Sequence, residues 1–384
     1  MGSVMHTNDD GMIRLSKSSV SEADKQAVMG VLDREFLGMG RAVKEFEDAL
    51  SEFFERPVVC VVNGTAALHL ACQAVGIGYG DEVLVQSLTY VASFQAISAT
   101  GARPVPCEVN RDTLTLDCKD AAKKLTSRTK AVMPVHYSGG VGNLDEIYSF
   151  AAKHCLRVIE DAAHAFGTEY QGRRVGGFGD ITCFSFDGIK NITSGEGGCV
   201  VTEDEEILRR MRDARLLGVE KDTDRRFAGQ RSWDFDVGRQ GWRYHMSDIM
   251  AAIGLSQLGR FTDMASKRRK LASLYDDLLE DHPQICSMQN DYSTVVPHIY
   301  VVRIEGMRDR ALIRERLLER GIQTGLHYQP NHWLSLYQEE DQNGLPVTDA
   351  EYKKMLTLPL HLDLQESDVE NVVRAVQEEL LNER

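Results

Sequence analysis

The stretch from Val158 to Val201 constrains the fold most, because it carries an acid, a hydroxyl, a lysine and a glycine-rich turn beside two strand patterns. An apolar run typical of a buried strand ends at Asp161, and a second strand pattern ends at Ser185. Lys190 follows in the loop beyond, just before the sequence SGEGG. Because open α/β sheets bind ligands at the carboxyl ends of their strands, we expect these side chains to share one site.

A lysine and a carboxylate placed in this way indicate pyridoxal phosphate (PLP) chemistry. Lys190 would bind the cofactor aldehyde covalently, and Asp161 would pair with the pyridine nitrogen, so that the protonated ring accepts carbanion electrons. The alternative is a surface lysine and a strand-end aspartate in an unrelated α/β enzyme. Ser185, at a strand end five residues before the lysine, is a candidate ligand of the cofactor phosphate.

A helix start near residue 64 predicts the rest of the phosphate site. The strand pattern RPVVCVV turns at Asn63 into the helical pattern AALHLACQAVG, which leaves free N–H groups at the strand end. Such a helix start binds anions, so we expect the N–H groups of Gly64, Thr65 and Ala66 and the Thr65 hydroxyl to hold the phosphate. A plain N-cap by Thr65 is the alternative.

Strand and helix patterns alternate through this half of the chain, as in DEVLVQ, RPVPCEV and KAVMPV with the segments that follow them. Repeated βα units predict a mostly parallel, doubly wound sheet flanked by helices. Tyr90 falls just past one strand end, where its ring would stack on a pyridine face. His164, three residues beyond Asp161, lies over or beside the cofactor, helps to orient that carboxylate, or is a hydrogen-bonded structural histidine.

The ends of the chain carry different patterns. Two helical patterns precede the first strand and predict an N-terminal arm, and a long helical pattern near residue 255 is suited to link two domains. We therefore expect a large PLP-binding domain over residues 1–255 and a smaller C-terminal α/β domain over residues 256–384. In the latter, residues 323–328 are typical of a strand, and the last helix would open with a capping box of Ser367 and Glu370.

Charge and cysteine usage limit the partners and the compartment. The formal net charge of −14 argues against nucleic acid and anionic membranes. The eight cysteines form no Cys-x-x-Cys pair, and several lie in apolar strand patterns, which fits reduced thiols in the cytoplasm. The N-terminal segment MGSVMHTNDDGMIR has no apolar signal core, and no apolar run is long enough to span a membrane. No metal is expected, because no His/Cys/Asp cluster has ligand spacing.

The segments EDAAHAFG, GDITCFSF and KNITSGEGG resemble the DegT/DnrJ-type nucleotide-sugar aminotransferases, which are fold-type I PLP enzymes of the aspartate aminotransferase superfamily. The resemblance runs from the segment at Phe36 to the LPLHLDL segment at Leu358. It implies a seven-stranded sheet in the large domain and a homodimer with shared active sites. It also implies L-glutamate as amino donor and a nucleotide-linked keto-deoxysugar as acceptor.

The resemblance assigns further residues to the site. The polar, arginine-rich segment 219–245 lacks a clean period and is predicted to be a long functional loop, which in the family reaches the neighbouring subunit. Arg243 stands where the family has an asparagine that contacts the cofactor phosphate; a guanidinium also binds phosphate well, and a solvated loop charge is the alternative. The segment LHYQPNH resembles a stretch that borders the sugar-nucleotide pocket. His327, Tyr328 and His332 are therefore substrate-side candidates, and without the resemblance they are typical of a polar loop.

Several reactions fit these residues. The ITSGEGG turn after Lys190 resembles relatives that aminate C4 of a 4-keto-6-deoxyhexose more than those that act at C3. The same chemistry on a cyclitol or aminobenzoate-type ketone would alter only the substrate pocket. A PLP-dependent dehydratase or lyase and a non-catalytic binding protein remain as other classes, although some dehydrating relatives carry histidine in the place of this lysine.

Overall fold

The computed structural model describes residues 11–338 and 344–382. Residues 1–10, which hold most of the segment without an apolar signal core, lie outside that range. The strands, in chain order, are β1 (Val58–Val61), β2 (Glu82–Gln86), β3 (Arg103–Cys107), β4 (Thr129–Met133), β5 (Arg157–Asp161), β6 (Glu169–Tyr170), β7 (Arg173–Arg174), β8 (Ile181–Ser185), β9 (Gly198–Val201), β10 (Ile285–Ser287), β11 (Tyr300–Ile304) and β12 (Met355–Leu358).

Seven strands form one large sheet in the order β1-β9-β8-β5-β4-β2-β3. β9 runs antiparallel to both of its neighbours, and the other adjacent pairs are parallel. The carboxyl ends of β1, β2, β4, β5 and β8 therefore meet along one edge of the sheet. This arrangement confirms the predicted mostly parallel seven-stranded sheet.

Both faces of the large sheet are buried, which explains why its strands are continuous apolar runs. In β1, Val58 and Cys60 pack into one hydrophobic cluster with Phe46 and Phe184. Val59 on the opposite face packs into a second cluster with residues of the helix that follows β1. Successive side chains of a strand point to opposite faces, so the sheet needs helices on both sides.

The helices that cover the sheet and complete the chain are α1 (Glu22–Asp33), α2 (Arg41–Phe54), α3 (Gly64–Ala74), α4 (Val91–Ser98), α5 (Cys118–Lys123), α6 (Leu144–Lys153), α7 (Glu205–Ala214), α8 (Asp222–Phe227), α9 (Asp248–Gly259), α10 (Phe261–Leu279), α11 (Arg310–Glu319), α12 (Pro346–Lys354) and α13 (Glu366–Asn382). The predicted helical arm is present as α1 and α2. Ser21 caps α1 through a capping box with Asp24.

A second sheet of three antiparallel strands, in the order β10-β11-β12, lies in the C-terminal part of the chain. It has its own hydrophobic core, in which Tyr275 of α10, Val302 of β11, Leu317 of α11 and Val372 of α13 are buried. The smaller α/β unit expected from the sequence is thus present, with β10 and β12 as strands that no pattern had predicted.

Two predictions about helices and strands in this half are wrong. The single long helix is interrupted at Arg260, whose guanidinium donates hydrogen bonds to the Asp24 carboxylate and the Ser19 carbonyl. Residues 323–328 form only one bridge, between Gly325 and Thr357, instead of a strand.

The last helix also begins differently from the expected capping box of Ser367 and Glu370. It starts at Glu366, and the Gln365 N–H donates to the Asp368 carboxylate at 2.8 Å. The loop over residues 219–245 is likewise not free of regular structure, because it contains α8. Within the described residues, no helix combines the length and apolar character needed to cross a membrane.

Candidate active site

A cavity of about 420 Å³ opens at the carboxyl edge of the large sheet. This volume lies in the range of small-molecule sites. Most of the predicted residues line it, together with His327 and Tyr328 from the C-terminal part of the chain. The predicted residues along its wall are Gly64, Thr65, Tyr90, Asp161, His164, Ser185, Lys190, His327 and Tyr328.

The N-terminus of α3 forms one wall of the cavity. Asn63 is the N-cap, and its side-chain oxygen accepts a hydrogen bond of 2.8 Å from the Ala66 N–H. The alternative of a Thr65 cap is therefore wrong, and the engaged Ala66 N–H favours Gly64 and Thr65 as the donors that face a ligand. A Cβ on Gly64 would lie 2.8 Å from Ser185 Cβ, so only glycine lets the helix start approach the end of β8 this closely.

Asp161 ends β5, and its carboxylate is buried and hydrogen-bonded. Ser93 donates a 2.7 Å hydrogen bond to Oδ2, and the Ala163 N–H donates to Oδ1 at 3.2 Å. The Ser93 hydroxyl also lies 3.0 Å from that of Thr89. Both hydroxyls come from the segment after β2, and the sequence carries no signal for them, because ordinary serines and threonines are common in such positions. The carboxylate is thereby held in one orientation while it faces the cavity.

Lys190 lies in the loop after β8, where it is half-buried and lines the cavity. Burial lowers the pKa of its amine to about 8, against the opposing charges of Asp161 and Asp187. Its Nζ lies 3.3 Å from Nε2 of His298, a buried residue that no sequence pattern singled out. A substantial fraction of the amine is therefore neutral near physiological pH, as a nucleophile and proton acceptor requires.

Aromatic rings surround the mouth of the cavity. Tyr90 is 58 % exposed, and its ring centroid lies 5.5 Å from that of Tyr328. The Tyr328 hydroxyl lies 3.0 Å from Nε2 of His164. Burial lowers the pKa of His164 well below its usual value, with a further contribution from the Lys190 charge. His164 is thus a neutral imidazole that lines the cavity and is hydrogen-bonded to Tyr328, and its place beside a cofactor stays a prediction.

The segment from His327 to His332 reaches the cavity only at its beginning. His327 Nδ1 lies 3.0 Å from Thr357 Oγ1, and burial lowers its pKa to about 4. His332 is buried elsewhere, with Nδ1 2.8 Å from Ser87 Oγ and Nε2 3.1 Å from Asp349 Oδ1. Its position does not support the predicted substrate contact, since it anchors the segment to the residues after β2.

Arg243 is exposed and does not line the cavity as the described residues of this chain define it. Its backbone pairs with Leu216, and the neighbouring Tyr244 carbonyl accepts a 2.7 Å hydrogen bond from the Val62 N–H. The guanidinium therefore projects from a segment that is fixed beside β1. Its expected reach toward a second subunit stays a prediction.

The residues of the cavity fit pyridoxal phosphate. A helix N-terminus with Ser185 beside it suits a phosphate, and Gly64 keeps that place clear of a side chain. The oriented Asp161 carboxylate suits a pyridinium nitrogen, and Lys190 supplies an amine of lowered pKa. The α3 N-terminus, the Asp161 carboxylate and the Lys190 amine all line the same cavity.

Comparisons with known proteins agree with this chemistry. The model of the DegT/DnrJ/EryC1/StrS aminotransferase family matches residues 18–377. The spore coat polysaccharide biosynthesis protein SpsC of Bacillus subtilis (strain 168) is 35% identical over 368 residues, which are 94% of this chain and 95% of SpsC.

Solved structures show the same fold. The sugar aminotransferase CalS13 from Micromonospora echinospora is 31% identical, with a TM-score of 0.86 over 96% of this chain and 100% of CalS13. Spr1654 from Streptococcus pneumoniae has been solved in PLP and PMP forms. Its PMP form is 30% identical, with a TM-score of 0.90 over 97% of this chain and 99% of Spr1654. The protein is a PLP-dependent transaminase, and its chain belongs to the DegT/DnrJ/EryC1/StrS aminotransferase family.

Proposed function

We propose that the protein transfers the amino group of L-glutamate to a nucleotide-linked keto-deoxysugar, at C4 of a 4-keto-6-deoxyhexose. The observation that carries this proposal is the convergence of Lys190, Asp161 and the α3 N-terminus on one cavity. The relatives support a sugar as the acceptor, since SpsC is a spore coat polysaccharide biosynthesis protein and CalS13 is a sugar aminotransferase.

The cofactor would be held at three points. The N–H groups of Gly64 and Thr65 and the Ser185 hydroxyl would bind its phosphate, and Asp161 would pair with its ring nitrogen. Tyr90, whose ring is exposed at the cavity wall, would stack on the pyridine face. When bound, PLP supplies an electron sink for the α-carbon of the amino acid and carries the amino group between the two substrates.

Lys190 would carry the proton of the reaction. With the donor amino acid bound, the free Nζ would take the proton from its α-carbon and would give a proton back later in the same half-reaction. The lowered pKa of about 8 leaves part of the amine neutral and ready to accept that proton. In the second half-reaction the same Nζ would deliver a proton to the sugar carbon that gains nitrogen.

The sugar side of the cavity would be formed by His327 and Tyr328, together with Glu196 of the SGEGG turn, which lines the same cavity. Burial and the charge of Asp187 raise the pKa of Glu196. Its carboxyl group would hydrogen-bond to hydroxyl groups of the sugar. The resemblance of this turn to C4-specific relatives is the basis for the choice of C4. Arg243 would serve the phosphates from a neighbouring subunit of a homodimer.

The chain would divide between the two sheets. α9 packs against α1 and α2, while α10 packs against α13 and β10. The break at Arg260 between them lies close to the division into residues 1–255 and 256–384, and the separate hydrophobic core of the smaller sheet supports this division. We propose that the two parts are a large PLP-binding domain and a small C-terminal domain.

A substrate panel tests the proposal. The protein is loaded with PLP and given L-glutamate with dTDP-, UDP- and GDP-linked 4-keto-6-deoxyhexoses, and with their 3-keto isomers. We expect one 2-oxoglutarate per amino sugar, and an NMR spectrum that places the nitrogen on C4. Amination at C3 alone would overturn the regiochemistry. Loss of water from the sugar without consumption of glutamate would overturn the aminotransferase proposal and indicate that the protein is a dehydratase.

A further inference from the structure

His298 approaches the active-site lysine from the other half of the chain. It lies just before β11, in the part that carries the smaller sheet, and it is 3 % exposed. Its Nε2 lies 3.3 Å from Lys190 Nζ, although the two residues are separated by 108 positions. The contact therefore links the part of the chain that carries the smaller sheet to the amine of Lys190, which follows β8 of the large sheet.

Three contacts fix His298 in this place. Its N–H donates to the Ser138 carbonyl at 3.3 Å, and its carbonyl accepts from Arg268 Nη1 at 3.2 Å. Its ring centroid lies 4.5 Å from that of His164. Ser138, Arg268 and His164 are themselves buried, so the imidazole has little room to turn away from Lys190.

The surroundings keep His298 uncharged. Burial lowers its pKa well below the usual value, and the positive charges of Lys190 and Arg268 act in the same direction. A neutral imidazole offers one nitrogen that accepts a hydrogen bond. When the Lys190 amine is protonated it can only donate, so Nε2 of His298 then accepts its hydrogen bond without adding a second positive charge to the cavity.

We propose that His298 is a positioning residue that holds the free amine of Lys190 within reach of the cofactor whenever the two are not joined. The inference rests on the proposed function, in which the amine leaves the cofactor and returns in each half-reaction. A lysine side chain is flexible, and a misplaced reacting group lowers the rate steeply. His298 itself forms and breaks no covalent bond.

The test compares His298→Leu, which removes the acceptor, with His298→Gln, whose amide places a polar group near the position of Nε2. His154→Leu removes a half-buried imidazole at the end of α6, where it packs against Phe150, and serves as the control. Melting curves and bound PLP are measured for each variant. Two rates are then measured from the change in absorbance. The first follows mixing of the protein with PLP, and the second follows addition of saturating L-glutamate to the loaded protein.

We expect His298→Leu to slow both steps between about tenfold and a hundredfold, with little change in the glutamate concentration for half-saturation. His298→Gln should recover most of the loss, and His154→Leu should behave as the unaltered protein. Without cofactor, an amine-reactive reagent followed by peptide mass spectrometry should label Lys190 several-fold faster in His298→Leu, because its amine is no longer held.

The outcomes separate the inference from the proposed function. Unchanged rates and unchanged labelling in both variants would overturn the role of His298 and leave the aminotransferase function standing. Equal losses in both variants would also overturn it, since they would reflect packing of the ring and not its nitrogen. If the unaltered protein ignores L-glutamate, the proposed function fails, and Lys190 labelling without cofactor still decides whether His298 holds the amine.

Discussion

The Ser93 hydroxyl donates a 2.7 Å hydrogen bond to Asp161 Oδ2 and thereby links the helix after β2 to the carboxylate at the end of β5. Removal of this donor leaves the carboxylate with fewer hydrogen bonds and free to turn away from its present orientation. We predict that Ser93→Ala weakens PLP binding about fivefold, which corresponds to about 1 kcal/mol for one hydrogen bond. Ser98→Ala, on the same helix but bonded to Phe94, is the matched control for a titration of PLP fluorescence.

Gly64 meets Ser185 so closely that an added methyl group has no place. We predict that Gly64→Ala costs about 1–3 kcal/mol through the 2.8 Å contact and moves the helix start away from the phosphate position. PLP affinity and the melting temperature are the measurements. Gly259→Ala, where no atom lies within 4 Å, should change neither. Tight PLP binding by Gly64→Ala would contradict the assigned phosphate site.

The lowered pKa of Lys190 predicts a specific pH dependence in the protein without cofactor. Only the neutral amine reacts with an acylating reagent, so labelling of Lys190 should rise with pH and level off above about 8. An ordinary surface lysine titrates near about 10.4 and should keep rising through that range. Peptide mass spectrometry after short pulses measures both in one sample. A Lys190 profile that follows the surface lysines would contradict the burial of its amine.

The unfolded chain holds Lys190 with its ordinary pKa, which is higher than in the folded protein. Between about pH 8 and the ordinary value of about 10.4, the unfolded state binds more protons, so stability gains a contribution from this residue as pH rises. Lys190→Met, which cannot be protonated, should lose this rise. The difference in urea unfolding free energy between the two proteins should therefore be largest below pH 8 and shrink above it.

Arg215 and Glu47 form a buried ion pair beneath the sheet, tied to both backbone polar groups of Cys60. Removal of one partner leaves an uncompensated buried charge, so we predict that Arg215→Met lowers the unfolding free energy by about 3–5 kcal/mol. Urea unfolding measures the loss. The exposed pair of Arg41 and Glu45 is the control, since Arg41→Met should change stability little. A small effect of Arg215→Met would contradict the buried pair.

Much of the site was predictable because its main residues follow local patterns. Asp161 and Ser185 end apolar strands, and Gly64 begins a helix after one, so the topology of a parallel sheet brings them to the same edge. The same periodicity predicted the α/β layers. These features need no knowledge of distant contacts.

The residues that escaped prediction act through packing across long stretches of chain. Ser93 contacts Asp161 across 68 positions of the chain, and His298 contacts Lys190 across 108. Contacts at such separations produce no periodic pattern in the sequence. The break at Arg260 is likewise accompanied by distant contacts, since its side chain bonds to Ser19 and Asp24 over 241 and 236 positions while the helical pattern continues in the sequence. His332 was assigned to substrate by resemblance, yet its bonds to Ser87 and Asp349 hold it outside the cavity.

In the proposed function, Lys190 joins the cofactor and releases it to an amino donor. The most direct measurement is the absorbance spectrum of the purified protein with PLP, before and after L-glutamate, beside Lys190→Ala. We predict a visible band of lysine-bound cofactor that glutamate converts to the amine form, and no such band in the variant. A protein without the band, or with a band that no amino donor alters, would contradict the claim.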